Sequence, residues 1–99
     1  MTITIIGTVV GRPETRDELE RLLAAQVEPT RAEPGCVNYH FHVDAEDDCT
    51  FVFYENWQSQ AHLDAHMGMP HLTPLLTQID SLLTQPISIR YLRMISPQH

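Results

Sequence analysis

The sequence predicts one α+β domain over residues 1–99, with the ferredoxin-like split βαβ topology. Three observations predict this fold class. The length of 99 residues suits one domain with one hydrophobic core. Apolar residues make up 42% of the chain, which is ordinary for a globular protein. The apolar periodicity changes in the order β-α-β-β-α-α-β, so that a four-stranded antiparallel sheet carries the helices on one face.

The first strand is predicted over residues 2–10, which are rich in β-branched side chains. Apolar residues occupy both faces of this strand, with Ile3, Ile5 and Val9 on one and Ile6 and Val10 on the other. A strand that is apolar on both faces is typical of the centre of a sheet covered on both sides.

A helix is predicted after this strand. Thr15 and Glu18 stand three residues apart and predict a capping box at its start. Pro29 is expected to kink its last turns, and the Glu33-Pro34-Gly35 segment is expected to end it. Its apolar positions recur at helical spacing and are Leu19, Leu22, Leu23 and Val27.

Residues 36–44 and 49–57 predict a β-hairpin, joined by an acidic turn. The first of these strands alternates, with Val37, Tyr39, Phe41 and Val43 on one face and Asn38, His40 and His42 on the other. Cys36 and Cys49 begin the two strands and therefore lie at opposite ends of the hairpin. Because six residues of strand span roughly 20 Å, we expect no disulfide between them.

The second half of the chain predicts two helices and a last strand. Ser59 can cap a helix that runs through about Met67, and the Gly68-Met69-Pro70 segment ends it. A further helix is predicted over residues 71–83, followed by a strand over residues 87–95.

The sheet face away from the helices is predicted to be partly apolar. It carries Ile6, Val52, Tyr54, Leu92 and Met94, mixed with His40, His42 and Arg90. Such a surface is too apolar to leave in water. We therefore expect two sheets to pack face to face in a homodimer with a barrel-like core.

The most informative stretch is the segment Phe53-Tyr54-Glu55-Asn56-Trp57. It ends a strand on the only tryptophan, and the next helix brings His66 back toward that ring. A large π surface beside a titratable imidazole suits proton chemistry on a planar aromatic molecule. His66 is therefore a candidate proton acceptor or hydrogen-bond donor, and Trp57 is a candidate pocket wall. The alternative is that both residues only fill the core.

The same elements supply further candidate site residues. Glu55 shares the strand parity of Trp57 and is a second acid–base candidate if it points inward. The alternative for Glu55 is a carboxylate that reaches solvent or pairs with an arginine. His71 opens the following helix, where it either contacts substrate or only caps and packs. An aromatic stripe that either walls a flat pocket or fills the core is formed by Tyr39, Phe41, Phe51 and Phe53.

Charge and composition exclude several classes of function. The net charge of −7 argues against a nucleic-acid partner, and the absence of lysine excludes Schiff-base chemistry. No apolar run approaches the ~20 residues that span a bilayer, and the N-terminus lacks a signal sequence, so we expect a cytoplasmic protein with no membrane partner. No carboxylate or thiol falls at a metal-binding spacing beside His62, His66 and His71, so we expect no metal.

With these elements placed, the chain resembles the antibiotic biosynthesis monooxygenase family, whose members are dimeric α+β barrels. The resemblance runs over nearly the whole length. It is carried by Glu33-Pro34-Gly35-Cys36 with Tyr39 after it, by the Phe53–Trp57 segment, and by His66 and Pro70-His71-Leu72. In such relatives the residue matching Trp57 lines a pocket between the sheet and the helices.

The resemblance implies a small cofactor-independent monooxygenase that oxidises an aromatic phenol or quinol with dioxygen. His66, together with Glu55, would hold or remove the acidic proton. Haem-degrading members match less well, because their iron-binding histidine falls near Leu76 here. Two alternatives stay open: an isomerase or decarboxylase-like enzyme that uses the same pocket without oxygen, and a non-enzymatic protein that binds a small metabolite.

Overall fold

The four strands form one antiparallel sheet in a computed structural model that describes residues 1–97. They are β1 (Ile3–Val10), β2 (Cys36–Val43), β3 (Thr50–Trp57) and β4 (Ser88–Arg93), arranged in the order β2-β3-β1-β4. Strands β1 and β3 occupy the centre and every neighbouring pair is antiparallel. This arrangement confirms the predicted split βαβ topology.

Five short helices connect the strands and pack on one face of the sheet, as predicted. They are α1 (Arg16–Ala24), α2 (Val27–Arg31), α3 (Gln60–Met67), α4 (Thr73–Leu76) and α5 (Ile79–Leu82), with a 3₁₀ turn at Pro70–Leu72 before α4. Among the described residues, none of these helices has the length and apolar content that would carry it across a bilayer.

The first predicted helix is divided in two, and the division lies before Pro29. A proline ring clashes with the carbonyl four residues earlier, and the helix is accordingly interrupted around Ala25, between α1 and α2. The predicted capping box does not form. Thr15 Oγ1 donates to the carbonyl oxygen of Leu82 at 2.9 Å and makes no cap hydrogen bond, while Glu18 pairs with an arginine of α1 instead.

The prediction of one continuous helix over residues 71–83 is also wrong. This segment consists of the 3₁₀ turn, α4 and α5. The Gln78 side-chain amide donates to the carbonyl oxygen of Pro74 at 2.9 Å, while the Gln78 backbone N–H donates to the carbonyl oxygen of Leu75. The backbone bond that would continue α4 is therefore replaced, and the segment stays a series of single turns.

The hairpin of β2 and β3 contains one irregularity that shifts the predicted parity. Cys36 pairs with Trp57 and Asn38 with Asn56, so Val37 is an extra residue in a bulge. Cys36 therefore packs against the core in place of Val37, which was predicted to share the face of Tyr39. From Asn38 onward the predicted alternation holds, although Val43 at the hairpin end is exposed.

Two clusters of buried side chains fill the space between the sheet and the helices. The larger lies against α1 and contains Val9, Leu19, Leu22, Leu23, Tyr39, Phe51, Phe53, Leu75, Leu82 and Leu83. The smaller, formed by Ile5, Trp57 and Leu63, lies at the start of α3. Of the candidate site residues, Trp57 lies in this second cluster, whereas Tyr39, Phe51 and Phe53 lie in the larger one.

The opposite face of the sheet carries the residues that were predicted for it. The register places Ile6 beside Tyr54 and Arg90, and Tyr54 remains 38% exposed. A buried polar chain that was not predicted also lies here, in which Thr4 Oγ1 donates to Asn56 Oδ1 at 2.5 Å and Asn56 Nδ2 donates to Asn38 at 2.9 Å. Packing of this face in a homodimer stays a prediction.

Candidate active site

Helix α3 carries His66 on its buried side, and both ends of the helix are well defined. Ser59 has extended backbone and its hydroxyl accepts from the His62 N–H, so the predicted N-cap is confirmed. At the other end, Gly68 stops the helix and Pro70 begins the 3₁₀ turn. His66 lies in the last turn of the helix and is only 4% exposed.

The imidazole of His66 packs against the indole of Trp57, as the sequence predicts. The ring centroids are 4.7 Å apart and the planes meet at 32°. Trp57 is fully buried, and its Nε1–H donates to Glu55 Oε1 at 2.9 Å. Glu55 therefore points inward, and its alternative as a carboxylate at the surface or beside an arginine is wrong.

Glu33 completes the site and was not predicted as a functional residue. Its Oε2 atom lies 2.7 Å from His66 Nδ1, and its side chain is 6% exposed. The Glu33-Pro34-Gly35 segment turns sharply because Gly35 takes φ +82°, and the Gly35 carbonyl accepts from Gln58 at the end of β3. This turn holds the carboxylate beneath α3.

His71 joins the same carboxylate from the other side. Its Nε2 lies 2.7 Å from Glu33 Oε2, and its Nδ1 lies 2.7 Å from Oε1 of the buried Gln26 side chain. The His66 and His71 rings are 6.0 Å apart. The turn at Pro70–Leu72 thus returns the chain so that both histidines share one acceptor.

A mainly apolar cleft of about 100 Å³ opens beside His66, between the sheet and the helices. Glu55 and His66 are its acid–base groups, and Tyr39 adds a phenol. Only Nδ1 of His66 is hydrogen-bonded among residues 1–97, which leaves Nε2 available to a ligand. The mouth of the cleft is formed by exposed apolar residues at and before β4, which are Ile87, Ile89 and Tyr91.

The structure separates the predicted site residues into three groups. Tyr39, Phe53, Glu55 and His66 line the cleft. Trp57 and His71 do not line it, so Trp57 is not the open wall that was predicted. Trp57 donates to Glu55, which lines the cleft, whereas His71 contacts Glu33, which does not. Phe41 and Phe51 also do not line the cleft, and their rings pack against each other in the larger cluster with centroids 5.6 Å apart.

Burial changes the protonation of two groups in the cleft. Removal from water raises the pKa of Glu55 above its ordinary 4.5, although the Trp57 hydrogen bond and the nearby His66 oppose this shift. Burial also raises the pKa of the Tyr39 phenol, with the nearby Glu55 adding to the effect. Both shifts favour neutral groups that can donate hydrogen bonds.

The raised pKa of Glu55 makes stability depend on pH. The folded state binds this proton more tightly than the unfolded state, so the stabilisation is complete below about 4.5 and is lost as pH rises through the folded-state value. A Glu55→Gln variant keeps an acceptor for Trp57 and cannot ionise. We expect its free energy of unfolding in urea to increase relative to wild type as pH rises from 5 to 9. A constant difference would contradict the shift.

Glu33, His66 and His71 also form the one cluster of three or more metal-ligating side chains found within residues 1–97. Their donor atoms lie within 4.8 Å of one another, so the reason given above against a metal is wrong: a carboxylate does lie beside the histidines. His62 instead contacts Ser59 and takes no part. The 2.7 Å separations are those of charge-assisted hydrogen bonds, so protons account for these contacts.

Comparison with known proteins places this architecture in a family. Residues 2–74 match the family described as antibiotic biosynthesis monooxygenase. Rv0793 of Mycobacterium tuberculosis, provisionally named a monooxygenase, is 37% identical over 91% of this chain and 88% of its own. The solved structure of Rv0793 superposes with a TM-score of 0.94 over the whole of both chains, at 32% identity.

Two further relatives extend the comparison. PA3566 of Pseudomonas aeruginosa has a solved structure that matches with a TM-score of 0.90 at 34% identity, over 96% of this chain and 95% of that one. An uncharacterised protein of Synechocystis, sll1783, is 31% identical over 97% of this chain. The chain spans only 65% of the length of the Synechocystis protein.

Proposed function

Because the chain belongs to the antibiotic biosynthesis monooxygenase family, we propose that it oxidises a small aromatic phenol or quinol with dioxygen and without a cofactor. The family and the names of the relatives support a monooxygenase-like activity. The substrate class, the use of dioxygen and the absence of a cofactor are our own proposal, as are the homodimer and the location in the cytoplasm.

The observation that carries the proposal is the hydrogen bond between His66 and Glu33. A carboxylate that binds Nδ1–H fixes the neutral tautomer of His66 with the lone pair on Nε2, and His66 lines the cleft. This is the arrangement of a histidine general base. Tyr39 and Glu55, with raised pKa values, would donate to the oxyanion that forms when the substrate loses its proton.

The proposed reaction balances without an external reductant. His66 Nε2 takes the hydroxyl proton, and the electron-rich ring carbon gives its electrons to dioxygen to form a C–O bond and a peroxide. The O–O bond then breaks as the same carbon loses its hydrogen. One oxygen atom becomes a quinone carbonyl, and the other leaves as water with the two substrate hydrogens. His66 returns the proton it took and ends unchanged.

The cleft favours a small uncharged substrate. A volume of about 100 Å³ is well below the range of roughly 300–1,000 Å³ of most ligand pockets, so it admits one ring and not several. No lysine or arginine occurs among the described residues that line it. A phosphorylated substrate would therefore lack a cationic partner among these residues.

The deciding experiment measures oxygen uptake with a panel of monocyclic phenols and quinols. We expect turnover by protein that has been dialysed against EDTA, and mass spectrometry with ¹⁸O₂ should find one labelled oxygen atom in the product. Turnover of a panel member under anaerobic conditions would favour the isomerase. Tight binding, seen as quenching of Trp57 fluorescence, with no product would favour the binding protein. Activity that requires a stoichiometric added metal would contradict the absence of a cofactor.

A further inference from the structure

Gly7 lies in the middle of β1, where the backbone itself does not require a glycine. Every other residue of β1 is an isoleucine, a threonine or a valine. The pairing of β1 with β3 and with β4 continues past Gly7 without a bulge, and Gly35 is the one glycine within residues 1–97 that has a positive φ. A glycine weakens the interior of a strand, and where it marks no bulge it indicates that another group approaches the strand closely.

The group that approaches Gly7 is the ring of Phe53, its partner on β3. A Cβ atom at position 7 would lie 3.1 Å from Phe53 Cδ2, which is closer than an ordinary van der Waals contact. On its other side Gly7 pairs with Ile89 of β4. All three residues line the cleft. The missing side chain of Gly7 therefore leaves a gap in the cleft floor between Phe53 and Ile89.

The floor of the cleft consists of two neighbouring rows of side chains that run across the sheet. One row contains three side chains with oxygen atoms and one apolar side chain, and consists of Tyr39, Glu55, Ile5 and Tyr91. The other row is apolar and includes Phe53, Gly7 and Ile89. Because such rows lie two residues apart along each strand, they are separated by roughly 7 Å. A ring above the second row could therefore extend a hydroxyl toward the first.

We propose that Gly7 is a specificity-determining residue, because the gap above it holds one planar ring between Phe53 and Ile89 and limits the substituents that this ring can carry. The inference rests on the proposed function and deepens it. The ring hydroxyl points toward Glu55 and Tyr39, where His66 can take its proton. A side chain at position 7 would fill the gap itself or push the Phe53 ring into the cleft, and either change leaves less space for the substrate ring.

The test compares the binding of two quinols that differ by one methyl group, hydroquinone and methylhydroquinone. Their dissociation constants are measured by calorimetry under anaerobic conditions, so that the result does not depend on turnover. One methyl group more or less in an apolar pocket changes affinity by about 10–200-fold. We therefore expect Gly7→Ala to weaken the binding of methylhydroquinone at least tenfold more than that of hydroquinone.

Two variants of Phe53 make this test independent of how well Gly7→Ala folds. Phe53→Leu removes the ring that approaches Gly7, and should change the ratio of the two dissociation constants in the opposite direction, in favour of methylhydroquinone. The double variant Gly7→Ala with Phe53→Leu regains the lost space. We expect its ratio to lie within about threefold of wild type, since the two positions are in contact and their effects are coupled.

The matched control is Gly11→Ala, which adds the same methyl group just beyond the end of β1. A Cβ atom there would lie 2.8 Å from Leu19 Cδ2, and Gly11 does not line the cleft. This variant should lower stability and leave the ratio unchanged. An equal change of the ratio in Gly7→Ala and Gly11→Ala would indicate a general effect on packing and contradict the proposal.

Binding and oxygen uptake separate the two proposals. If the ratios change as expected but no variant consumes oxygen, the proposed function fails and the role of Gly7 stands. If wild type consumes oxygen with both quinols and Gly7→Ala keeps the wild-type ratio, the role of Gly7 fails and the proposed function stands. Wild-type protein that binds neither quinol would also overturn the inference.

Discussion

Replacing His66 with alanine is expected to lower kcat/KM for oxygen uptake by about 10²–10⁴-fold, the usual contribution of a general base. The loss should fall mainly on kcat, because the cleft wall is largely apolar and binding does not depend on the imidazole. The measurement is steady-state oxygen consumption with the best phenol or quinol of the panel. His66→Ala with the wild-type rate would remove His66 from the mechanism.

The matched control for this variant is His62→Gln. His62 stands one turn earlier on α3, and its ring contacts the Ser59 hydroxyl at 2.8 Å and not Glu33. We expect its rate to lie within about twofold of wild type. Loss of activity in both variants would indicate that changes in α3 as a whole, and not the base, explain the His66 result.

Replacing Trp57 with alanine is expected to destabilise the protein by about 3–5 kcal/mol, the usual cost of removing a fully buried aromatic side chain. Typical domains have only about 5–15 kcal/mol of stability, so a large share would be lost. The indole packs on Ile5 and Leu63, holds Glu55 by a hydrogen bond and supports the His66 ring. The measurement is the midpoint of urea unfolding, followed by circular dichroism.

Trp57→Phe separates packing from hydrogen bonding. It keeps most of the apolar volume but leaves Glu55 Oε1 without its donor, which costs about 1–3 kcal/mol. Because the indole hydrogen bond holds the pKa of Glu55 down, the variant should also raise that pKa further.

The control for both Trp57 variants is Phe51→Leu, a change in the larger cluster. It should lower stability but leave the pH dependence from Glu55 as it is. Wild-type stability in Trp57→Ala would show that the indole is not a core residue.

The element order could be predicted from the sequence because each strand and helix has its own periodicity. The observed ends of β1, β2 and β3 lie within one residue of the predicted ends. What could not be predicted is where local bonds compete with a helix. The Thr15 hydroxyl donates to the Leu82 carbonyl oxygen and does not form the predicted cap. The Gln78 side-chain amide donates to the Pro74 carbonyl oxygen, where the backbone N–H of Gln78 would donate in a continuous helix. Both contacts depend on how turns meet in space, which periodicity does not specify.

The candidate site could be predicted in part. The spacing of Trp57 and His66 indicated that their rings meet, because a strand end and the following helix must lie side by side. Glu33 was interpreted only as part of the segment that ends the first helix and that contributes to the family resemblance. A signal for it existed: an acidic residue three positions before a strand that pairs with the end of β3 lies close to the elements that follow β3. The contact of Gln26 with His71 spans 45 residues of sequence and left no such signal.

The bulge at Val37 marks where the length of this chain can drift over evolutionary time. Cys36 and Asn38 already pair with consecutive residues of β3, so losing Val37 would straighten the strand and keep every later side chain on its present side. Losing His40 would instead reverse the alternation that follows it, turning Phe41 outward and His42 under the helices. A one-residue deletion at Val37 should therefore be tolerated better than a one-residue deletion elsewhere in β2.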